Sequence, residues 1–440
     1  MRVLIQGSSA AEIASSIRAE LDAGALGPGD SLPPARELAH QLGVNRNTVV
    51  AAYRQLAQAG LLVSRRGAGT TVAAPAVLNE EGFRPDTAVA DVGSGNPDRG
   101  LLPDLSNLTL PPGPNVLYGE SILDPGLGEW ARNWFASELS RPFEVTVMGG
   151  AVDAVERLLA MALAPGDLVA LEDPCFLSSV NVVRRSGFRP VPIPVDRQGM
   201  TPDGLRLALE SGARVVICTP RAHNPTGASL TARRAQELRA VIAKHPQVLV
   251  IEDDHFSLLA TKPFHSVCPN GHRHWALIRS LSKFLGPDLR VALVATDPGT
   301  ARRLGAQVSA GTNWVSHLLQ RTAHGLLGDP GFAERNEAAR DHYHSRNARF
   351  VELLAEQGVA ASATDGLNVW VDVRGDAHLV SAELIRRGWA ARPGDEFALT
   401  PEAGAHYLRF TVHDLDDEQL RSLAEATAAA IAAAQTSRFK

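Results

Sequence analysis

The sequence predicts an α/β protein in two parts: a small helical unit ending in a two-stranded wing, and, after a linker, a large body built on a mostly parallel sheet. Three observations carry this. Residues 1–73 are punctuated as helix, helix, turn, helix and two short extended pieces. From residue 91 to residue 440, apolar strand-length runs alternate with helix-length segments, the pattern of a sheet covered on both faces. Finally, 440 residues exceed what one core fills, since single cores rarely grow beyond about 250–300 residues.

In the first unit, Ile13, Ile17 and Leu21 recur at helical spacing from Ala10, and the helix should stop near Gly24. Ser31-Leu32-Pro33-Pro34 opens a second helix, Ala35 to Leu42, with Pro34 suited to a first-turn position where its missing N–H costs nothing. Gly43 ends it. Asn45 caps a third helix, whose Val49, Tyr53 and Leu56 lie on one stripe until Gly60. Leu61 to Ser64 and Thr70 to Ala73 are extended, joined by the basic turn Arg65-Arg66-Gly67-Ala68-Gly69. That order makes a winged helix-turn-helix. Three-helix patterns occur in many small domains, so the case for DNA rests on two further features. Arg46, Asn47 and Thr48 occupy the first turn of the third helix, where such motifs face base edges, and the wing carries paired arginines. Residues 1–72 hold seven arginines against five acids, +2 in a chain totalling −5, which leaves −7 for the remainder. The small unit is the part suited to an anionic partner.

Residues 74–90, APAVLNEEGFRPDTAVA, lack periodicity and read as a linker. In the body, strands are expected at Leu168–Glu172, Arg189–Ile193, Val215–Thr219, Val248–Glu252, Ala276–Arg279 and Val291–Ala295, and the alanine-rich stretch Ala424 to Ala434 reads as a packing helix. Cys175, Cys218 and Cys268 are odd in number and far apart, which suits a reducing compartment. The opening MRVLIQGSSAAE has no apolar core of signal-peptide length, and no later run approaches the ~18 apolar residues of a membrane span. A cytoplasmic protein without membrane contact is expected. The pairs His272/His274 and His342/His344 lack zinc spacing, so no metal is expected.

The chain has four lysines against thirty-nine arginines, and one of the four, Lys283 in IRSLSKFLGPDLR, directly follows a strand. Asp253 and Asp254 follow the strand Val248–Glu252, Asn224-Pro225-Thr226-Gly227 the strand Val215–Thr219, and Phe176 the strand Leu168–Glu172. Ligands in such sheets bind beyond the carboxyl ends of the strands. Pyridoxal 5′-phosphate requires these groups: an amine for a Schiff base, a carboxylate for the ring nitrogen, a donor to the ring hydroxyl and a ring to stack on. Gly149-Gly150-Ala151 opens a helix expected over Val152 to Ala162, whose N–H groups offer an anion site that Arg290 with Ser280 or Ser282 would complete. Taken singly, NPTG is a common turn, Asp253-Asp254 a solvated loop, Phe176 core packing and Gly149-Gly150 a strand-to-helix turn. Their common place at strand ends favours a cofactor site.

The stretch SLPPARELAHQLGVNRNTVVAAYRQLAQAGLLVSRRGAGTTV resembles, almost position by position, the DNA-binding domain of GntR-type regulators. The resemblance implies that Arg36, Arg46, Thr48 and Arg66 contact phosphates or base edges, with Asn47 and Arg65 beside them, and that Gly67 shapes the wing tip. The body resembles fold-type I aminotransferases over roughly residues 91–440. The whole chain is similar to the MocR family of pyridoxal-phosphate-responsive regulators, and EDPCFLSS, PRAHNPTG, EDDHF and SLSKFLGPDLR look closest to its PtsJ-like branch. By motif, the resemblance makes Lys283 the Schiff-base lysine and Asp253 the pyridinium partner. Asn224 bonds the ring hydroxyl, Phe176 stacks, Arg290 and Ser280 hold the phosphate with Gly150 and Ala151, and Arg409 in YLRF receives a substrate or effector carboxylate. Tyr118 in LYGE matches a tyrosine that reaches the phosphate across a dimer interface.

The sequence departs from that pattern at three places. His255 stands where many relatives have a tyrosine, and its charge varies near neutral pH. MGGAV lacks a serine and a glutamine found in many phosphate cups, and ESILDPGLG alters the segment after the interface tyrosine. Two functions are therefore weighed. One is a DNA-binding transcriptional regulator that senses pyridoxal phosphate, or an amine or amino-acid adduct of it, in keeping with control of vitamin B6 metabolism. The other is an active aminotransferase with an appended DNA-binding domain. The departures favour the first, with at most residual transamination. A body serving only as a dimerisation platform has no use for Lys283. The expected partners are a double-stranded DNA operator, a second copy of the chain in a head-to-tail, domain-crossed homodimer, and an amine, amino acid or B6 vitamer as effector.

Overall fold

The computed structural model describes residues 5–437 apart from 59–60, 66–68, 74–81, 83–88, 107–110, 311–313 and 362–364. Two compact units, a head and a body, make up the chain. The expected linker falls largely outside the described residues.

The head consists of helices α1 (Ala10–Asp22), α2 (Ala35–Leu42) and α3 (Arg46–Gln58) and the antiparallel strands β1 (Leu62–Arg65) and β2 (Gly69–Val72). The helix starts and the end of α2 have local causes. The Ser9 hydroxyl accepts the Glu12 N–H at the start of α1. Pro34 precedes α2 as its cap rather than lying in its first turn, and Gly43 closes α2 at φ 65°. The Asn45 side chain accepts the Asn47 N–H at 2.8 Å ahead of α3. Ile13, Ile17, Leu38, Val49, Leu56 and Val72 meet in the core, and the Tyr53 hydroxyl donates to the Pro33 carbonyl at 2.7 Å, tying α3 to the approach to α2.

In the body, strand β3 (Ala90–Asp91) precedes an eight-stranded sheet formed by β4 (Glu144–Met148), β5 (Leu168–Asp173), β6 (Arg189–Asp196), β7 (Gly199–Met200), β8 (Val215–Cys218), β9 (Leu249–Asp253), β10 (Trp275–Ser280) and β11 (Ala292–Thr296). Their order is β4-β11-β10-β9-β8-β5-β6-β7. Strands β6, β5, β8, β9 and β10 run parallel, whereas β11 is antiparallel to both β10 and β4. Strands β8, β9, β10 and β11 are buried along their whole length, as continuous apolar runs require. A smaller sheet joins β12 (Asn368–Asp372), β15 (Tyr407–Thr411) and β14 (Arg392–Pro393), and β13 (Trp389–Ala390) pairs with β3. The last helix, Asp417–Ser437, packs Leu420, Leu423, Ala424 and Ala430 into this second core.

The sequence reading missed β4 and the direction of β11. Glu144 and Thr146 interrupt the apolar run of β4, which lies at the sheet edge, and direction is decided by pairing rather than by composition.

Candidate cofactor site and nucleic-acid interface

Strand direction brings the singled-out residues of the body to one rim. Asp253 ends β9, Lys283 lies in the short helix Ser282–Leu285 after β10, and Asn224, Phe176 and Gly150 follow β8, β5 and β4. Arg290 precedes β11, and because β11 opposes β10 its start lies where β10 ends. Lys283, Asn224 and His255 line one narrow cleft together with His223, Phe256 and Asn368.

Each group has defined surroundings. Lys283 Nζ donates to the Gly95 carbonyl at 2.9 Å. Asn224 Oδ1 accepts from Arg409 Nη1 at 3.0 Å; a guanidinium has only donors, so the amide nitrogen of Asn224 is turned the other way. Arg409, on β15, is fully buried, donates through Nη2 to the Gly93 carbonyl at 2.7 Å and lies 4.5 Å from the centre of the Phe397 ring.

The two aspartates divide by face, as successive residues of extended chain must. Asp254 accepts from Arg221 Nε at 2.7 Å and Nη2 at 2.8 Å and from Arg279 Nε at 3.0 Å. Asp253 is buried with Oδ1 unmatched by any donor among the described residues. Burial, with Asp254 and Glu172 nearby, pushes its pKa up to about 7. An enclosed carboxyl with an unanswered oxygen suits a cationic N–H, which a protonated pyridine nitrogen supplies.

The anion end is built on helix α5 (Ala151–Ala162), after helix α4 (Pro125–Ala136) earlier in the chain. Gly150 caps α5 at φ 108°, and a Cβ there would stand 3.0 Å from Arg290 Nη2. Glycine is what lets the guanidinium approach the helix start, where unpaired N–H groups favour an anion. Ser280 is buried and its Oγ accepts the Ser282 N–H at 3.3 Å. The rings of Phe176 and His255 are nearly parallel, 8° apart in tilt with centres 6.5 Å apart. Tyr118 is not drawn into this site: it is 85% exposed and meets Trp314 edge-on. The unanswered Asp253 oxygen and the glycine cradle beside Arg290 both fit pyridoxal 5′-phosphate.

Comparison with known proteins now bears on the whole chain. Residues 113–426 match the aminotransferase class I and II family, and residues 9–72 match the gntR family of bacterial regulatory proteins. The vitamin B6 salvage pathway transcriptional repressor PtsJ of Salmonella typhimurium is 45% identical over 424 residues, 96% of this chain and 98% of PtsJ. MocR of Rhizobium meliloti, named a probable rhizopine catabolism regulatory protein, is 26% identical over 385 residues, 78% of this chain and 76% of MocR. The chain belongs to the MocR-type regulators. As a MocR-type regulator it is a DNA-binding transcription factor whose body has the fold of the pyridoxal-phosphate-dependent aminotransferases. That fold is seen in the kynurenine aminotransferase of Pyrococcus horikoshii, with a TM-score of 0.70 at 20% identity, covering 79% of this chain and 92% of the enzyme.

The head of this MocR-type regulator turns its candidate DNA contacts outward. Arg46 and Asn47 are exposed on the first turn of α3, Thr48 is half-buried beside them, and Arg36 is exposed on the first turn of α2. Arg66, Gly67 and the side chain of Arg65 lie outside the described residues. Among the described residues no helix is long and apolar enough to cross a membrane, and no disulfide joins Cys175, Cys218 and Cys268.

Sequence reasoning missed a layer of buried charge behind the site. Arg279 is fully enclosed, bonds Asp254 and Glu138, and lies 4.5 Å from the centre of the Trp134 ring. Burial lowers its pKa to about 9. Arg221 joins Asp254 to the loop carrying Asn224, so one ion pair fixes Asn224 relative to the end of β9. His223 Nε2 lies 3.4 Å from Glu172 Oε2, and Glu172 also accepts the Thr219 N–H at 2.9 Å. The signal was present in PRAHNPTG, where an arginine stands inside an otherwise polar turn, but its partners are remote in sequence.

Proposed function

We propose that this regulator binds pyridoxal 5′-phosphate at Lys283, and that the bound cofactor, or its adduct with an amine, an amino acid or a B6 vitamer, sets the affinity of the heads for a double-stranded operator. In this reading it acts in the cytoplasm as a repressor of genes for vitamin B6 supply, as the name of PtsJ suggests. The observation that carries the reading is the convergence of Lys283, Asn224 and His255 on one cleft next to a buried aspartate with an unanswered oxygen, in a chain that begins with a gntR-type head.

When bound, the cofactor supplies an aldehyde carbon that condenses with amines and a ring nitrogen that can hold a proton. The residues of this chain do the rest. Lys283 presents the amine, and Asp253 holds the proton at the ring nitrogen. The Asn224 amide donates to the ring hydroxyl. The N–H groups of Gly150 and Ala151, with Ser280, Ser282 and Arg290, receive the phosphate, and Arg409 receives the effector carboxylate. Phe176 and His255, whose rings are nearly parallel, would serve as two plates for the flat ring. An imidazole used as a plate is not placed to tune the reacting amine, so at most residual transamination is expected. Tyr118, exposed in one chain, reaches the phosphate of a second copy in a head-to-tail homodimer. The linker proposed for residues 74–90 lets each head cross to its partner.

Titration with pyridoxal phosphate, following absorbance and operator affinity together, tests the proposal. A visible band and a change in operator affinity are expected to saturate in step, and Lys283→Ala is expected to lose both. A dialysis-resistant band in Lys283→Ala overturns the assignment of the lysine. A band in the wild type without any operator response removes sensing and leaves the aminotransferase reading.

A further inference from the structure

The segment Gly93-Ser94-Gly95 hydrogen-bonds in two directions. The Gly93 carbonyl accepts from Arg409 Nη2 at 2.7 Å and the Gly95 carbonyl from Lys283 Nζ at 2.9 Å. The carbonyl between them, that of Ser94, accepts the backbone N–H of Gly82 at 2.8 Å. Burial follows the same alternation, with Gly93 and Gly95 buried and Ser94 half-buried. One side of this strap therefore holds Lys283 and Arg409, two of the cations assigned to the cofactor site. The other side holds Gly82, a residue of the body that lies in sequence four residues after Leu78 of the head.

The strap is fixed in place by its own amides: the Gly93 N–H donates to Asp91 Oδ1 at 2.9 Å and the Gly95 N–H to Thr411 Oγ1 at 3.0 Å. Both glycines are required by geometry. A Cβ at Gly93 would meet the Arg392 backbone nitrogen at 3.0 Å, and Gly95 has φ 66°.

We propose that this strap relays occupancy of the cofactor site to the segment leading to the DNA-binding head. The inference rests on the reading that the cofactor bonds Lys283 and an effector carboxylate takes Arg409. Condensation would join Nζ to the aldehyde carbon, two of the three ammonium hydrogens leaving with the aldehyde oxygen as water. The single hydrogen left on the nitrogen would face the ring hydroxyl beside Asn224, and the donation to the Gly95 carbonyl would be given up. A carboxylate at Arg409 competes with the Gly93 carbonyl for the same guanidinium, and a charged acceptor outcompetes a neutral one. Buried carbonyls deprived of donors are costly, so the strap shifts, and the bond from Gly82 to Ser94 moves or breaks with it.

The test uses the full-length chain with pyridoxal phosphate, then with pyridoxal phosphate and an amino acid, and reads amide hydrogen exchange at Gly82 together with operator affinity. Exchange at Gly82 is expected to speed about five- to tenfold on cofactor addition, as for one lost hydrogen bond. Gly82→Pro removes the donor at a residue with φ 74°, which proline cannot adopt. In that variant the visible band is expected to form as in the wild type, showing a folded body, while operator affinity stops responding to cofactor. Thr411→Val, which removes the anchor of the Gly95 amide, is expected to raise exchange at Gly82 without cofactor. Unchanged exchange at Gly82, or an operator response that survives Gly82→Pro, overturns the relay and leaves sensing intact. Absence of the band in the wild type overturns the sensing reading itself.

Discussion

In the head, the core is filled by Ile13, Ile17, Leu38, Val49 and Leu56 with the Tyr53 ring, and Arg36 and Arg46 stand in solvent; the body instead encloses Glu172, Asp253, Asp254, Arg221, Arg279 and Arg409. The two placements do different work. An exposed arginine acts through water, is screened by salt, and can be lost without harm to the fold. A buried one must find its partners inside, and the removal of either partner strands the other. The head is a surface for a long polyanion. The body is an interior in which single atoms decide what can bind.

The largest expected effect is therefore in the body. Asp254 answers both Arg221 and Arg279, so Asp254→Asn should destabilise the body by about 3–5 kcal/mol, the typical cost of breaking a buried ion pair. Replacing Arg221 as well, Arg221→Met with Asp254→Leu, should cost less than Asp254→Asn alone, since only Arg279, which keeps Glu138, then loses a partner. Denaturant unfolding with the site empty measures both. A cost for Asp254→Asn no larger than that of a surface substitution would erase the contrast between the two regions.

Next in size is the pH dependence of Asp253. Its pKa is raised to about 7 in the fold, so the folded chain retains a proton that the unfolded chain releases above the ordinary carboxylate range. The stability this provides is complete at low pH and is lost as pH climbs toward 7 and through it. Asp253→Asn removes that loss. Without cofactor the variant should be more stable than the wild type at pH 8, by on the order of 2–4 kcal/mol, and no more stable at pH 4, while its affinity for pyridoxal phosphate falls. Thermal unfolding at the two pH values checks the sign. A variant less stable at pH 8 would mean that Asp253 has a partner in the empty site.

The same contrast sets what could be read from the sequence. Helix α2 was placed to the residue because its signals, Pro34 before it and Gly43 after it, are its own neighbours. Lys283, Asp253 and Asn224 were legible because each follows an apolar run, and strand ends in such sheets share a rim. What remained hidden is bonded across the chain. Arg409 meets the Gly93 carbonyl at a separation of 316 residues, and Arg279 meets Glu138 at a separation of 141. Nothing near Asp253 and Asp254 in sequence tells which of them is spent on arginines. That choice is made by the faces of β9.

A smaller effect is expected in the head. Arg46 opens α3, exposed, at the place where a recognition helix meets base edges. Arg46→Ala should leave the unfolding midpoint unchanged and weaken operator binding by about 1–3 kcal/mol more than binding to random DNA. Equal losses on both DNAs would assign Arg46 to a phosphate instead.

The smallest effect is expected at Arg36, and it tests whether the head really works through solvent. Arg36 is exposed on the first turn of α2, the helix that crosses the backbone in such motifs, and its charge adds to a head that is net positive while the chain is net negative. A phosphate contact contributes through counterion release and carries no sequence information. Arg36→Ala should therefore weaken operator and random DNA alike, by less than about 1 kcal/mol at physiological salt, and reduce the slope of log affinity against log salt by about 1. Affinities measured for both DNAs across a salt series decide the matter. If the variant loses operator affinity selectively at unchanged slope, Arg36 reads sequence, and the head then uses its charge with the same specificity as the body.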